Sequence, residues 1–154
     1  MSRKLPSKDM LLNACAGTVA VPHPVLQTAQ ELGLLHRARL TADAVDQDRI
    51  DSARARSVRV IDRWVATWMP VSYGTASLNT ETVGMVIDRV AEFSVTAYAT
   101  LTGDASDDEV QYAWRRLAEL SVAYGDLAFD ITAQRRRLPD LVAPQPDRDR
   151  RRRG

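Results

Sequence analysis

Residues 44–69 of this chain place Ile50, Ala53, Ser57, Ile61, Trp64, Val65 and Trp68 at intervals of three and four, with charged residues filling the gaps. That rhythm matches the 3.6-residue turn of an α-helix and not the alternation of a strand. The same rhythm recurs elsewhere. Between about Pro24 and Thr41 it selects Leu26, Ala29, Leu32, Leu35, His36 and Leu40. From Asn79 or Thr80 to Leu101 it selects Val83, Ile87, Val90, Ser94, Ala97 and Leu101. From Ser106 to about Arg137 it selects Val110, Trp114, Leu117, Leu120, Tyr124, Leu127 and Ile131. A shorter helix is expected from Lys8 to Ala16, behind Ser7 and ahead of Gly17. Pro70 ends the third helix, and "TGDASDDE" supplies a turn and an acidic helix start. Amphipathic helices cannot stay in water singly, so the expected fold is all-α: an antiparallel bundle of four long helices with a short N-terminal helix.

A chain of 154 residues with 45% hydrophobic content can bury one core, so residues 1–138 are expected to form a single domain. The rest differs in kind. Residues 1–134 hold 13 basic against 17 acidic residues, whereas residues 135–154 hold eight arginines against three aspartates. The segment 139–154 is rich in Pro and Arg and poor in apolar residues, the composition of a disordered basic tail. Such a tail offers one function class of its own, polyanion or nucleic-acid binding through salt-sensitive phosphate contacts; with no aromatic residue interleaved, solubilisation with only weak polyanion affinity is its plainer role. Every apolar run is interrupted by a polar residue before it reaches the roughly 18 residues of a bilayer span, so no membrane partner is expected. The start "MSRKLPSKDM" lacks the apolar stretch of a secretory signal, and Cys15 has no disulfide partner. Both features point to a cytoplasmic protein.

"VIDR" occurs twice, at 60–63 and 86–89, on helices that a short connection would set antiparallel. Counted from the connection, Asp62 and Asp88 fall at nearly equal heights. Antiparallel direction then pairs Asp62 with Arg89 and Arg63 with Asp88, within a chain or across a homodimer. Around the second copy, Glu81, Met85, Asp88 and Glu92 follow one helical stripe. Such a stripe is either a solvated face or, turned inward beside His36 and Arg39, the wall of a polar pocket.

Gly84 raises a separate question, because glycine one turn into a helix costs about 1 kcal/mol relative to alanine. Either a neighbouring helix or tryptophan packs there, or a ligand rests on the first turn beside Asn79 and Thr82. His36 is either a hydrogen-bonded structural residue or an acid–base group. His23, between Pro22 and Pro24, shapes a helix entry, and Cys15 between alanines is a packing residue. No Glu-x-x-His, His-x-x-x-His or Cys-x-x-Cys spacing occurs, nor a glycine-rich phosphate loop or nucleophile elbow, so no metal or cofactor is expected.

"HPVL" at 23–26, "LHRARL" at 35–40, "IDRW" at 61–64 and above all "LNTETVGMVIDRV" at 78–90 resemble the bacterial domain of unknown function 4254 family, frequent in actinobacteria. "AWRRLAELSVAYGDL" at 113–127 and "RRRLP" at 135–139 are similar as well, extending the resemblance over about residues 5–139. Its distinctive part is Asn79, Glu81, Thr82, Gly84, Asp88 and Arg89. The resemblance implies an all-helical fold and no established reaction, cofactor or catalytic residue.

Beside polyanion or nucleic-acid binding by the Arg tail, two function classes follow for the helical body. The first is a non-catalytic binding module, homodimeric, holding a protein partner or small polar ligand near the first half of the fourth helix. The second is a small helical enzyme acting on a polar or anionic substrate with Glu81, Asp88, Arg89, Asp62, Arg63, His36 and Arg39.

Overall fold

A computed structural model describes residues 3–141. The expected disordered basic tail lies outside the described residues from 142 onward. Five helices form most of the structure: α1 (Lys8–Cys15), α2 (Pro24–Arg39), α3 (Ala44–Trp68), α4 (Val83–Ala99) and α5 (Asp107–Thr132). Two short strands, β1 (Ser77–Leu78) and β2 (Arg136–Arg137), pair in parallel, a departure from the all-α expectation.

Each helix begins on a residue that satisfies free backbone N–H groups. Ser7, Asp43, Thr82 and Ser106 accept from the N–H groups of Met10, Asp46, Met85 and Glu109. His23 does the same for α2: its Nδ1 accepts the Val25 N–H at 3.1 Å, so Nε2 carries the proton and donates to Lys4 O at 2.9 Å. The His23 ring also packs on Trp64, with centroids 4.9 Å apart. Pro24 follows in the first turn, where its missing N–H costs nothing.

Two helix limits differ most from expectation, while α2 and α4 each end about two residues early. α4 starts at Val83, because Asn79 to Glu81 lead out of β1 and Thr82 takes the capping position. α5 stops at Thr132, because Gln134 adopts φ 61°, and Arg136 and Arg137 extend as β2 where a last helical turn was expected.

α4 is the central element, packing against α1, α2, α3 and α5. α2 and α3 also pack together, whereas the α5 backbone comes close to α4 and α1 rather than to α2 or α3; α1 joins α2 to α5. The short first helix is therefore a structural member, with Leu11 and Ala14 fully buried. Leu26, Leu32, Ile61, Ile87, Val90 and Tyr124 are fully buried too, Tyr124 donating its hydroxyl to Pro6 O at 2.7 Å. Most of the expected core stripe is inside, but Leu40, Trp68 and Leu101 are exposed, lying just beyond or at the very end of their helices. Gly33 allows α1 and α2 to meet: a Cβ there would lie 2.4 Å from Cys15 O.

Candidate functional site

α4 begins level with Asp62, six residues back from Trp68 at the end of α3, about 9 Å at helical rise. The connection over residues 69–82 permits this offset, because it turns back along α3 and is tied to the segment after α5. Helix levels therefore shift relative to the expectation, and within the chain the reciprocal Asp62–Arg89 and Arg63–Asp88 pairs do not form. Asp62 Oδ1 accepts the Gly84 N–H at 2.7 Å. Asp88 faces Arg54, just over two turns further back along α3, Arg89 pairs with Glu81, and Arg63 is exposed on the α3 surface.

The first turn of α4 is thus occupied by its own chain. Asp62 and the Thr82 hydroxyl take the Gly84 and Met85 N–H groups. A Cβ on Gly84 would lie 2.4 Å from Val58 O and 2.8 Å from Asp62 Oδ1, so helix packing explains the glycine. The packing partner is the α3 backbone rather than a tryptophan. Burial pushes the Asp62 carboxyl above its usual range, opposed by the bonds from Gly84 and Thr82.

Asn79 is a bracket for the connection. Its backbone N–H donates to Arg137 O at 2.7 Å, its Nδ2 donates to Glu81 O at 2.7 Å, and its Oδ1 accepts from Arg136 at 3.5 Å.

The carboxylate stripe divides. Glu92 is exposed and Glu81 precedes the helix, but Asp88 turns inward and meets His36. His36 Nε2 lies 2.7 Å from Asp88 Oδ1. Arg54 holds both oxygens of Asp88, Nη2 to Oδ2 at 2.7 Å and Nε to Oδ1 at 3.2 Å. Its Nη1 reaches Asp51 Oδ1 at 2.8 Å, and Arg39 closes on Asp51 through Nε at 2.9 Å and Nη2 at 3.3 Å. The result is an alternating chain, His36–Asp88–Arg54–Asp51–Arg39, that ties α2, α3 and α4 at one level. Bidentate contacts of this kind are among the stronger hydrogen bonds.

Burial pushes Asp88 upward, but the bonds from His36 and Arg54 outweigh it and hold the carboxyl below its usual range. Arg39, then Arg54, lowers Asp51 to about 2. His36 is 5% exposed and helps line a cleft of about 100 Å³ with Arg39, Leu40, Glu92, Val95 and Thr96.

The structure therefore brings His36, Arg39 and Asp88 together, gathers Asn79, Glu81 and Arg89 separately at the connection, and gives Asp62, Thr82 and Gly84 to a helix junction. Asp51 and Arg54 were missed. Arg54 follows Ala53 on the apolar stripe, and a charged residue bordering a buried stripe was the available signal. Among the described residues no group of three or more His, Cys, Asp or Glu side chains is placed to hold a metal ion.

The fold and this charge chain define a mostly helical protein whose most organised polar cluster joins helices. More specifically, the chain belongs to the family described as "Protein of unknown function (DUF4254)", whose model matches residues 36–139. The match starts at His36, so "HPVL" lies outside it. No curated protein and no solved structure shows a significant match to the chain.

Proposed function

We propose that this protein is a non-catalytic, cytoplasmic interaction module that works as a homodimer, with α2 to α5 running as an antiparallel bundle. One observation carries the non-catalytic part: the polar cluster is consumed by its own members. Both oxygens of Asp88 and both of Asp51 are held by His36, Arg54 or Arg39, so neither carboxylate of the chain is free to act as a base. The cleft beside His36 is also well below the roughly 300 Å³ at which organic-ligand pockets begin.

A surface suited to a partner lies between α2 and α3. There Leu34, Leu35, Ala38, Ala53 and Val60 line a groove of about 580 Å³, with Glu31 and Arg56 as charged members. A two-fold contact between copies would set Glu31 of each against Arg56 of the other while covering Leu34 and Val60, which are 55% and 48% exposed. Light scattering after size exclusion tests this: the native chain is expected as a dimer and Leu34→Glu/Val60→Glu as a folded monomer. A native monomer at micromolar concentration would remove the dimer.

The His36–Asp88 pair favours a second reading, a small enzyme on a polar or anionic substrate. A carboxylate orients the imidazole, and the ring borders a cleft containing Arg39 and Glu92. Native mass spectrometry of the purified protein separates the two. A small polar ligand retained by the native chain and lost in His36→Gln supports the enzyme; an empty protein counts against it.

A further inference from the structure

The pole of the molecule where α3 enters its connection displays a second surface, separate from the α2–α3 groove and the charge chain. Trp68 is 43% exposed, with the Arg3 guanidinium 4.6 Å from its ring centroid. Val71, Tyr73 and Leu78 follow at 86%, 62% and 55% exposure. Braces to the segment after α5 hold this loop in place: Gln134 donates to Val71 O at 2.8 Å, the Tyr73 N–H donates to Gln134 O at 3.3 Å, β1 pairs with β2, and Arg137 Nε donates to Ala76 O at 2.7 Å. The apolar side chains are thus presented outward by a fixed loop.

The same braces bring cations to the loop. Arg135 and Arg137 are exposed, and among the described residues neither they nor Arg3 form an ion pair. The nearby acids Asp130 and Glu81 are taken by Arg136 and Arg89.

We propose that this pole docks on an anionic lipid surface. Trp68, Val71, Tyr73 and Leu78 enter the headgroup region, while Arg3, Arg135 and Arg137 meet lipid phosphates. Charge complementarity selects an anionic occupant. The aliphatic members select lipid over nucleic acid, since Val71 and Leu78 cannot stack on bases but gain by leaving water. Two weak signals, apolar insertion and a basic cluster, together make a reversible surface anchor. Such docking requires no spanning helix, and none of the described helices is long and apolar enough to cross a membrane.

Co-sedimentation of the full chain with phosphatidylglycerol-containing and pure phosphatidylcholine vesicles tests the proposal. Binding is expected to the anionic vesicles only and to weaken with salt. Val71→Asp/Leu78→Asp is expected to reduce it about tenfold or more, with an unchanged melting temperature. Val71→Asp alone, at the most exposed site of the loop, gives the same direction should the double variant misfold. Arg3→Gln/Arg135→Gln should weaken it severalfold. No sedimentation with anionic vesicles overturns the proposal. So does binding to a single-stranded oligonucleotide that displaces vesicles and is indifferent to Val71→Asp, because that assigns the pole to nucleic acid.

Discussion

Asp62 of α3 accepts the backbone N–H of Gly84 in α4 at 2.7 Å, so one helix supplies the anion that the other's N-terminus attracts. The same two residues mark the closest approach of the helices, since an added Cβ on Gly84 would meet both Val58 O and Asp62. The first "VIDR" copy therefore secures the start of the helix that carries the second, and the two copies have different work.

Gly84→Ala is expected to destabilise the protein by about 2–3 kcal/mol, the upper part of the range for overpacking. The clashing atom is a backbone carbonyl that cannot rotate away. Gly74→Ala, with open space around its Cβ, is expected within about 0.5 kcal/mol of the native protein. Urea unfolding monitored by far-ultraviolet circular dichroism makes the comparison.

Asp62→Ala is expected to cost about 1 kcal/mol, the usual cost of losing a helix cap. Asp62→Asn keeps an acceptor oxygen for Gly84 and is expected to cost less. The exchange Asp62→Arg with Arg89→Asp is expected to rescue nothing, because neither side chain is the other's partner. Rescue in that pair would restore the reciprocal arrangement suggested by the repeated motif.

Acid should weaken the fold in a way that individual variants reshape. Asp88 and Asp51 have folded-state pKa values below the unfolded ones, Asp51 reaching about 2. Their stabilisation is present above the unfolded carboxylate pKa, roughly pH 4, and is lost as pH falls through the folded values. Asp62 has the opposite sign: its pKa is raised by burial, so the native state protonates first and gains as pH falls. Melting temperatures from pH 6 downward should therefore fall less steeply in Asp88→Asn and more steeply in Asp62→Asn.

Cys15 is 2% exposed and burial pushes its thiol up to about 12. It is expected to resist a thiol reagent at pH 8 in the native protein and to react promptly once unfolded, because only the thiolate attacks. Rapid labelling of the native state would mean that α1 opens from α2 and α4 readily.

Helix existence was legible in the sequence because it is local: capping residues, a terminating proline and apolar spacing lie within a few turns of each other. The buried stripes of α4 and α5 follow from that spacing, and so does His23 at the entry to α2. The level of α4 against α3 was not legible, because the connection over residues 69–82 is tied to residues 134–137, some sixty positions away. The partners of Asp88 depend on that level. Arg63, adjacent to Asp62 in the motif, lost to Arg54, about two and a half turns earlier, once α4 slid back along α3. His36 was legible as a residue on the core stripe, but its carboxylate partner again depended on the level of α4.

The most direct test of the charge chain as an interhelical tie is a double-mutant cycle on Arg54 and Asp88. Asp88→Asn alone is expected to cost about 2–3 kcal/mol, somewhat below a fully buried pair because Asp88 is 17% exposed. Asp108→Asn, in the exposed first turn of α5, serves as the reference for a solvated carboxylate and is expected within about 0.5 kcal/mol. Arg54→Met with Asp88→Asn should be less destabilising than the two single changes added, with a coupling of about 1 kcal/mol or more. Strict additivity would show that the pair does not bind α3 to α4 and would contradict the account.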